Sequence, residues 1–310
     1  IKAAGGITFA QDEKSAGYGG MPQSAIAAGC VDFVLSPQQI AAELVRLSQQ
    51  PYVRRVDVPA EITSAGAEDG DLEKIYDLVR KARGIDLRDY KPPTIARRIS
   101  RRMTLRKTEN LAKYLRYLQK NPSELDELCE DIFIHVTGFF RDRASFDALR
   151  AGVFPSLIRP GKGGKIRVWC PGCSSGEELY SIAILLMENL GSGTRTNQIQ
   201  LFGTDISAAA IDRARAGLYP ESIEADVSRE RLKRFFVKTE TGYQVSKAVR
   251  DLCVFAEHDL AKHPPFSKID LISCRNVLIY LGAPLQKRIL SLFHYALNPN
   301  GFLLLGPSES

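Results

Sequence analysis

The chain has 310 residues, of which 44% are hydrophobic and 25% charged, enough for two domains with separate cores. No apolar run approaches the roughly 20 residues that cross a bilayer, and no secretory leader is legible, so the expected compartment is the cytoplasm, with no membrane insertion. The net charge of +6 is modest, but Arg97 to Lys107 concentrates basic residues and points to an acidic partner, nucleic acid or protein.

The chain opens with a short strand (Ile7 to Ala10), a helix near Met21 to Ala28, a strand (Val31 to Leu35) and a helix (Pro37 to Gln49). This βαβα fragment, residues 1–50, is too short for a whole doubly wound domain. Residues 51–70 carry Pro, Gly, Ala and charge without periodicity and read as a linker. Residues 71–154 are helical in pattern: Leu72, Ile75, Leu78 and Val79 recur at helical spacing, as do Ile95, Ile99 and Met103. Ser123, after Asn121-Pro122, is the expected N-cap of the helix that follows. These residues predict a small all-α domain.

Residues 155–310 then alternate. Strands are expected at Lys165–Cys170, Ile199–Thr204, Leu252–Ala256, Ile269–Cys274 and Phe302–Leu305, with helices between most of them. That order predicts an α/β domain with a doubly wound, mostly parallel sheet. Short β-like runs around Thr241-Gly242 predict a small antiparallel insertion at about 231–250.

The stretch from Lys165 to Asp205 is the most informative. An apolar strand enters the small, Gly-rich turn Pro171–Gly176, an amphipathic helix follows, and a second strand ends on Asp205. Open α/β sheets build nucleotide pockets this way: glycine admits a ligand to the backbone, and the acid hydrogen-bonds ribose hydroxyls. The turn lacks GxGxxG spacing, so S-adenosylmethionine is the best candidate ligand. The plainer reading of Asp205 is a turn residue, and that of Glu177 and Glu178 a favourable charge at a helix start. Cys170 and Cys173 form a CxxC pair within the turn. No second CxxC or His pair completes a metal site, so packing is their expected role and no metal is expected. All six cysteines read as reduced, mostly buried thiols.

Several motifs then occur in a fixed order: ARRISRRM, HVTGFFRD (His135 to Asp142), PGCSSGEELYS, FGTDIS, GLYP, EHDL, CRNVLIY (Cys274 to Tyr280) and NGFLLLGPSES. Together they resemble the chemotaxis receptor methyltransferases (CheR-type) over residues 71–310. Residues 1–50, through GGITFAQD, GMPQSAIA and CVDFVL, resemble the C-terminal end of the chemotaxis methylesterases (CheB-type), as a non-catalytic fragment of a natural fusion. The resemblance implies protein-glutamate O-methyl transfer from S-adenosylmethionine, with S-adenosylhomocysteine as product. It implies that Asp205 holds the ribose, Glu177 and Gly172 meet the cofactor in the loop, and Asp259 and Leu260 flank the adenine. Arg275 and Asn276 open onto the pocket, and His135, Thr137 and Arg141 close over the methionyl portion. The family often has Asn where His135 stands. Arg141 and Tyr280 are implied as the groups that hold the substrate carboxylate.

Such a transfer is an in-line displacement on a sulfonium by an already ionised carboxylate, so positioning matters more than a base. This suits a chain with no paired acids and no Ser-His-Asp set. Arg98, Arg101 and Arg102, beside the Ile95–Ile99–Met103 stripe, are the expected docking surface for acidic methylation helices of a receptor. The short VKTETGYQV loop predicts that no peptide tether is needed. Two rivals remain: a non-catalytic S-adenosylmethionine sensor, and a nucleic-acid methyltransferase. The HPPF motif (His263 to Phe266) suggests the latter but precedes the fourth strand instead of ending it, so no nucleic-acid partner is expected.

Overall fold

A computed structural model of the protein describes residues 1, 5–27, 29–49, 69–133, 137–158, 165–190 and 199–309. The expected linker and His135 lie outside the described residues, the linker but for its last two positions. The chain divides into two compact units, Ile1–Ile134 and His135–Ser310.

In the first unit, β1 (Phe9–Gln11) is followed by α1 (Gly20–Ala27), β2 (Phe33–Leu35) and α2 (Pro37–Ser48). The two strands pair in parallel, Phe9 against Phe33. A capping box starts α2: Ser36 accepts from the Gln39 amide while the Gln39 side chain accepts from the Ser36 amide, satisfying two otherwise orphaned donors. The helical part comprises α3 (Asp69–Arg83), α4 (Pro92–Leu105), α5 (Leu111–Lys120) and α6 (Pro122–Ile132). Its core includes Ile75, Val79, Ile95 and Ile99, all fully buried. The cap of α6 is Asn121, not Ser123. Pro122 takes the first helical position, where its missing N–H costs nothing and its fixed φ suits the helix, so Ser123 falls inside the first turn.

The larger correction concerns α4. Arg98, Arg101 and Arg102 are only 1%, 0% and 4% exposed and form no docking surface. Ile95, Arg98, Ile99 and Arg102 stand at i, i+3, i+4 and i+7, so the arginines belong to the buried stripe itself. The charge is matched from inside. Arg102 grips Glu124 through Nε (2.9 Å) and Nη2 (2.7 Å), and Tyr114 Oη donates to the same carboxylate at 3.0 Å. Arg101 pairs with Asp131 and Asp32 and donates to the Gly6 carbonyl at 3.2 Å. Burial alone would raise the Glu124 carboxyl, but Arg102 and Arg106 hold it below its ordinary value. Removing one partner of a buried pair costs about 3–5 kcal/mol, against about 0–1 kcal/mol for an exposed pair. Arg106 contacts the same carboxylate with its side chain 38% exposed. Urea denaturation followed by circular dichroism should therefore find Arg102→Ala several-fold more destabilising than Arg106→Ala; equal losses would contradict the assignment of α4 to the core.

The second unit begins with α7 (Arg143–Ala148), a π-helical turn (Leu149–Val153) and α8 (Phe154–Leu157). Phe146, Leu149, Phe154 and Leu157 share a core with the sheet domain, so the helical domain ends before the expected residue 154. There follow β3 (Ile166–Pro171), α9 (Glu177–Leu190), β4 (Ile199–Asp205), α10 (Ala208–Ala216) and β5 (Leu218–Pro220). Next come α11 (Arg229–Phe235), β6 (Phe236–Thr239), β7 (Gly242–Val245) and α12 (Lys247–Arg250). The chain closes with β8 (Cys253–Glu257), β9 (Ile269–Cys274), α13 (Ala283–Ala296) and β10 (Leu297–Leu305).

The central sheet is parallel, in the order β10-β9-β3-β4-β8. The chain starts on β3, winds outward through β4 to β8, then returns to the other side of β3 for β9 and β10. The winding therefore reverses between β3 and β9, where such sheets open a crevice beyond their carboxyl ends. A separate antiparallel sheet has the order β5-β7-β6, so the insertion also recruits the Leu218–Pro220 segment. A Cβ on Gly242 would strike the Tyr219 carbonyl and Pro220 backbone, which restricts that contact to glycine.

Candidate active site

Three residues of the β3–α9 turn adopt the left-handed conformation: Gly172 (φ 68), Ser174 (φ 50) and Gly176 (φ 95). The turn is held from three directions. Cys173 N donates to Thr204 O at 2.9 Å, Ser174 N to Asp205 Oδ2 at 2.8 Å, and Tyr219 Oη to Ser175 O at 2.6 Å. Asp205 is buried and also accepts from Ser207 N through Oδ1 at 3.0 Å. It thus acts as a turn residue while ending β4. At Gly172 the close approach is to protein: an added Cβ would overlap the Val277 side chain.

Two acids open α9 and do different work. Glu177 is buried, and both its oxygens accept from Ser175 Oγ, at 2.8 and 3.0 Å. Burial pushes its carboxyl up to about 7. Glu178 turns toward β9, accepting from Ser273 Oγ at 2.6 Å and from Arg275 Nη1 at 3.4 Å.

Arg275, just past β9, is fully buried in its side chain. Besides Glu178, it donates through Nη2 to Arg141 O (2.9 Å) and Asp142 Oδ2 (2.6 Å). The guanidinium thus braces the Thr137–Asp142 segment, while the Arg275 backbone stands just past the end of β9. That segment is bent, with Phe140 and Asp142 at φ 51 and 60, and Ser181 Oγ accepts from Phe140 N at 3.0 Å. Its product is an exposed Arg141 whose backbone is fixed beside the end of β9. Thr137 is half-buried on the same segment. Asn276 (φ 60) turns the chain into the 3-10 helix Leu278–Tyr280, where Tyr280 is half-buried.

Beyond β8, His258 N donates to Asp205 O at 2.8 Å, joining that loop to the end of β4. Asp259 accepts from Ala261 N at 2.7 Å and its own amide donates to His263 Nδ1 at 3.0 Å; Leu260 is half-buried. The structure thus gathers Gly172, Glu177, Asp205, Asp259, Leu260, Asn276, Tyr280 and, through Arg275, Arg141 at the carboxyl ends of β3, β4, β8 and β9. Sequence reasoning missed Glu178, Ser181, Tyr219 and Glu309 as supports. Tyr219 and Glu309 do sit in quoted motifs, GLYP and GPSES. Cys170 and Cys173 are free and buried, and burial drives both thiols well up; Cys30, by contrast, is exposed.

Residues 135–310 match the model described as "CheR methyltransferase, SAM binding domain", and residues 70–133 match "CheR methyltransferase, all-alpha domain". This chain belongs to the CheR methyltransferase family. Residues 1–44 match the CheB methylesterase model. A chemotaxis protein methyltransferase of Listeria monocytogenes is 35% identical over 77% of this chain and 91% of its own length. Chemotaxis protein methyltransferase 1 of Pseudomonas aeruginosa is 32% identical over 79% of this chain and 91% of its own. An uncharacterized 104.1 kDa protein of Rhodobacter capsulatus is 36% identical over the whole chain, which spans only 35% of that relative.

S-adenosylmethionine is the cofactor of this CheR domain, and the residues fit it. Glu177, at the start of α9, is a buried acid whose ionised form burial disfavours, and a cationic amino group beside it would stabilise that form. Asp205 retains acceptor capacity for hydroxyls at the end of β4.

Glu177 also makes stability pH-dependent. Its folded value of about 7 lies above the ordinary 4.5, so the folded protein binds this proton more tightly than the unfolded chain. The contribution is fully present below 4.5 and lost as pH rises through about 7. Without added cofactor, Glu177→Gln should match the wild type near pH 4.5 and exceed its unfolding free energy by up to about 3 kcal/mol near pH 8.5. Denaturant titrations at the two pH values test this; a pH-independent difference would contradict it.

Proposed function

We propose that this CheR-family chain is a protein-glutamate O-methyltransferase acting on acidic methylation helices of chemoreceptors or an associated signalling protein. The observation that carries the reading is the hydrogen bond from Arg275 to the Arg141 carbonyl, which fixes the backbone of an exposed arginine to the residue that follows β9. S-adenosylmethionine supplies an electrophilic methyl group on a sulfonium. The chain's task is then to present a carboxylate in line with it and keep water away.

Arg141 would orient the substrate carboxylate with its planar fork, a two-point grip that a lysine ammonium cannot copy. Tyr280 would donate its hydroxyl to the same group. Neither need remove a proton, because a glutamate is ionised at neutral pH. Glu177 would hold the cofactor's amino group, Asp205 its ribose, and Asp259 with Leu260 its adenine. Thr137 would close over the methionyl portion, and the same role is proposed for His135. The compact turn Glu240–Thr241 between β6 and β7 supports recognition without a peptide tether; micromolar binding of a receptor-tail peptide in calorimetry would overturn that part.

The test is to incubate the protein with methyl-labelled cofactor and receptor-bearing membranes and measure label released as methanol by base. Base-labile methyl should appear. Tyr280→Phe should lower kcat about 10–100-fold, the size expected for losing one positioned donor at the reacting group, with cofactor Kd little changed. Cofactor binding without base-labile product would identify a sensor instead.

A further inference from the structure

The Glu309 carboxylate makes three backbone contacts. Oε1 accepts from Val277 N (2.7 Å) and Leu278 N (2.8 Å), and Oε2 accepts from Gly306 N (2.6 Å). Its own amide donates to Gly306 O at 3.1 Å, closing a tight loop after β10. A carboxylate bonded to consecutive N–H groups at the start of a helical turn satisfies donors that have no partner within the turn. The turn held here is Leu278–Tyr280. Its carbonyl side is held separately, by Gln286 Nε2 donating to Leu278 O (2.6 Å) and Leu281 O (3.1 Å).

The same carboxylate reaches the cofactor loop through one residue. Val277, whose amide Glu309 binds, packs against Gly172 so closely that a Cβ there would overlap its Cγ2. Leu305 and Cys274 pair where β10 and β9 end side by side, so the clamp is anchored to the sheet. A displacement of Val277 would move the Gly172 turn and Tyr280 together.

We propose that Glu309 is a positioning residue that locks the Asn276–Tyr280 turn and, through Val277, sets the Gly172 loop against it. The inference rests on the proposed role of Tyr280 for its catalytic consequence, but the clamp itself is a structural claim with its own readout. Amide hydrogen exchange at Val277 and Leu278 measures the clamp directly. Turnover with labelled cofactor and cofactor Kd measure its effect.

Glu309→Ala should speed exchange at those two amides at least about tenfold, a local opening, while the melting midpoint falls by only a few degrees. It should lower kcat about 10–100-fold, the scale of an ångström-level misplacement, and weaken cofactor binding by a smaller factor. Glu309→Gln, which keeps one acceptor oxygen for the paired amides but turns a donor toward Gly306 N, should recover part of both losses. Unchanged exchange in Glu309→Ala would overturn the clamp. Faster exchange with unaltered kcat and cofactor Kd, alongside a defective Tyr280→Phe, would overturn the coupling. Should Tyr280→Phe be inert, the role of Tyr280 fails, and the clamp is judged on exchange and cofactor Kd.

Discussion

The site depends on one buried cation. The Arg275 guanidinium stands where the winding of the sheet reverses, and it joins α9 through Glu178 to the bent segment before α7 through Arg141 O and Asp142. A buried charge is tolerated only when matched, so this arginine obliges two acids and a carbonyl to converge on it. That convergence draws a segment 134 positions away in sequence to the end of β9. Without it, Arg141 would be an ordinary exposed arginine after a short apolar run.

The start of α9 carries a second buried acid with a different partner. Glu177 is buried against a single hydroxyl donor, Ser175 Oγ, with no guanidinium hydrogen-bonded to it, and burial pushes its carboxyl up to about 7. Perturbed acids of this kind mark places where a ligand can complete the electrostatics. Asp205 fixes the turn through backbone amides at the end of β4, and the proposed function gives it the ribose as well. Burial raises both Glu177 and Glu178; these neighbours in sequence differ in partner, Ser175 for the one and Ser273 with Arg275 for the other.

Much of this was legible in the sequence because it is local. The strands, the glycine turn ending before Glu177, and the acid closing β4 are each written in short windows of hydrophobicity and small residues. The α4 arginines depart from expectation for a physical reason: periodicity arguments treat arginine as a surface residue, and Arg101 and Arg102 are buried where Asp32, Asp131 and Glu124, distant in sequence, neutralise them. Ser123 was misread because Pro122 had already claimed the first helical position. The roles of Arg275, Tyr219 and Glu309 could not be read, since each depends on partners tens to more than a hundred positions distant.

If Arg275 braces the Arg141 segment and does not grip the cofactor, kcat and cofactor affinity should separate when it is changed. The decisive measurement is therefore steady-state turnover together with calorimetric cofactor Kd for Arg275→Lys, which keeps the charge but cannot span Arg141 O, Asp142 and Glu178 at once. The account predicts a fall in kcat of about 100-fold with cofactor Kd within about threefold of wild type. A cofactor Kd weakened as much as turnover would contradict it, and would return Arg275 to the cofactor's own contacts.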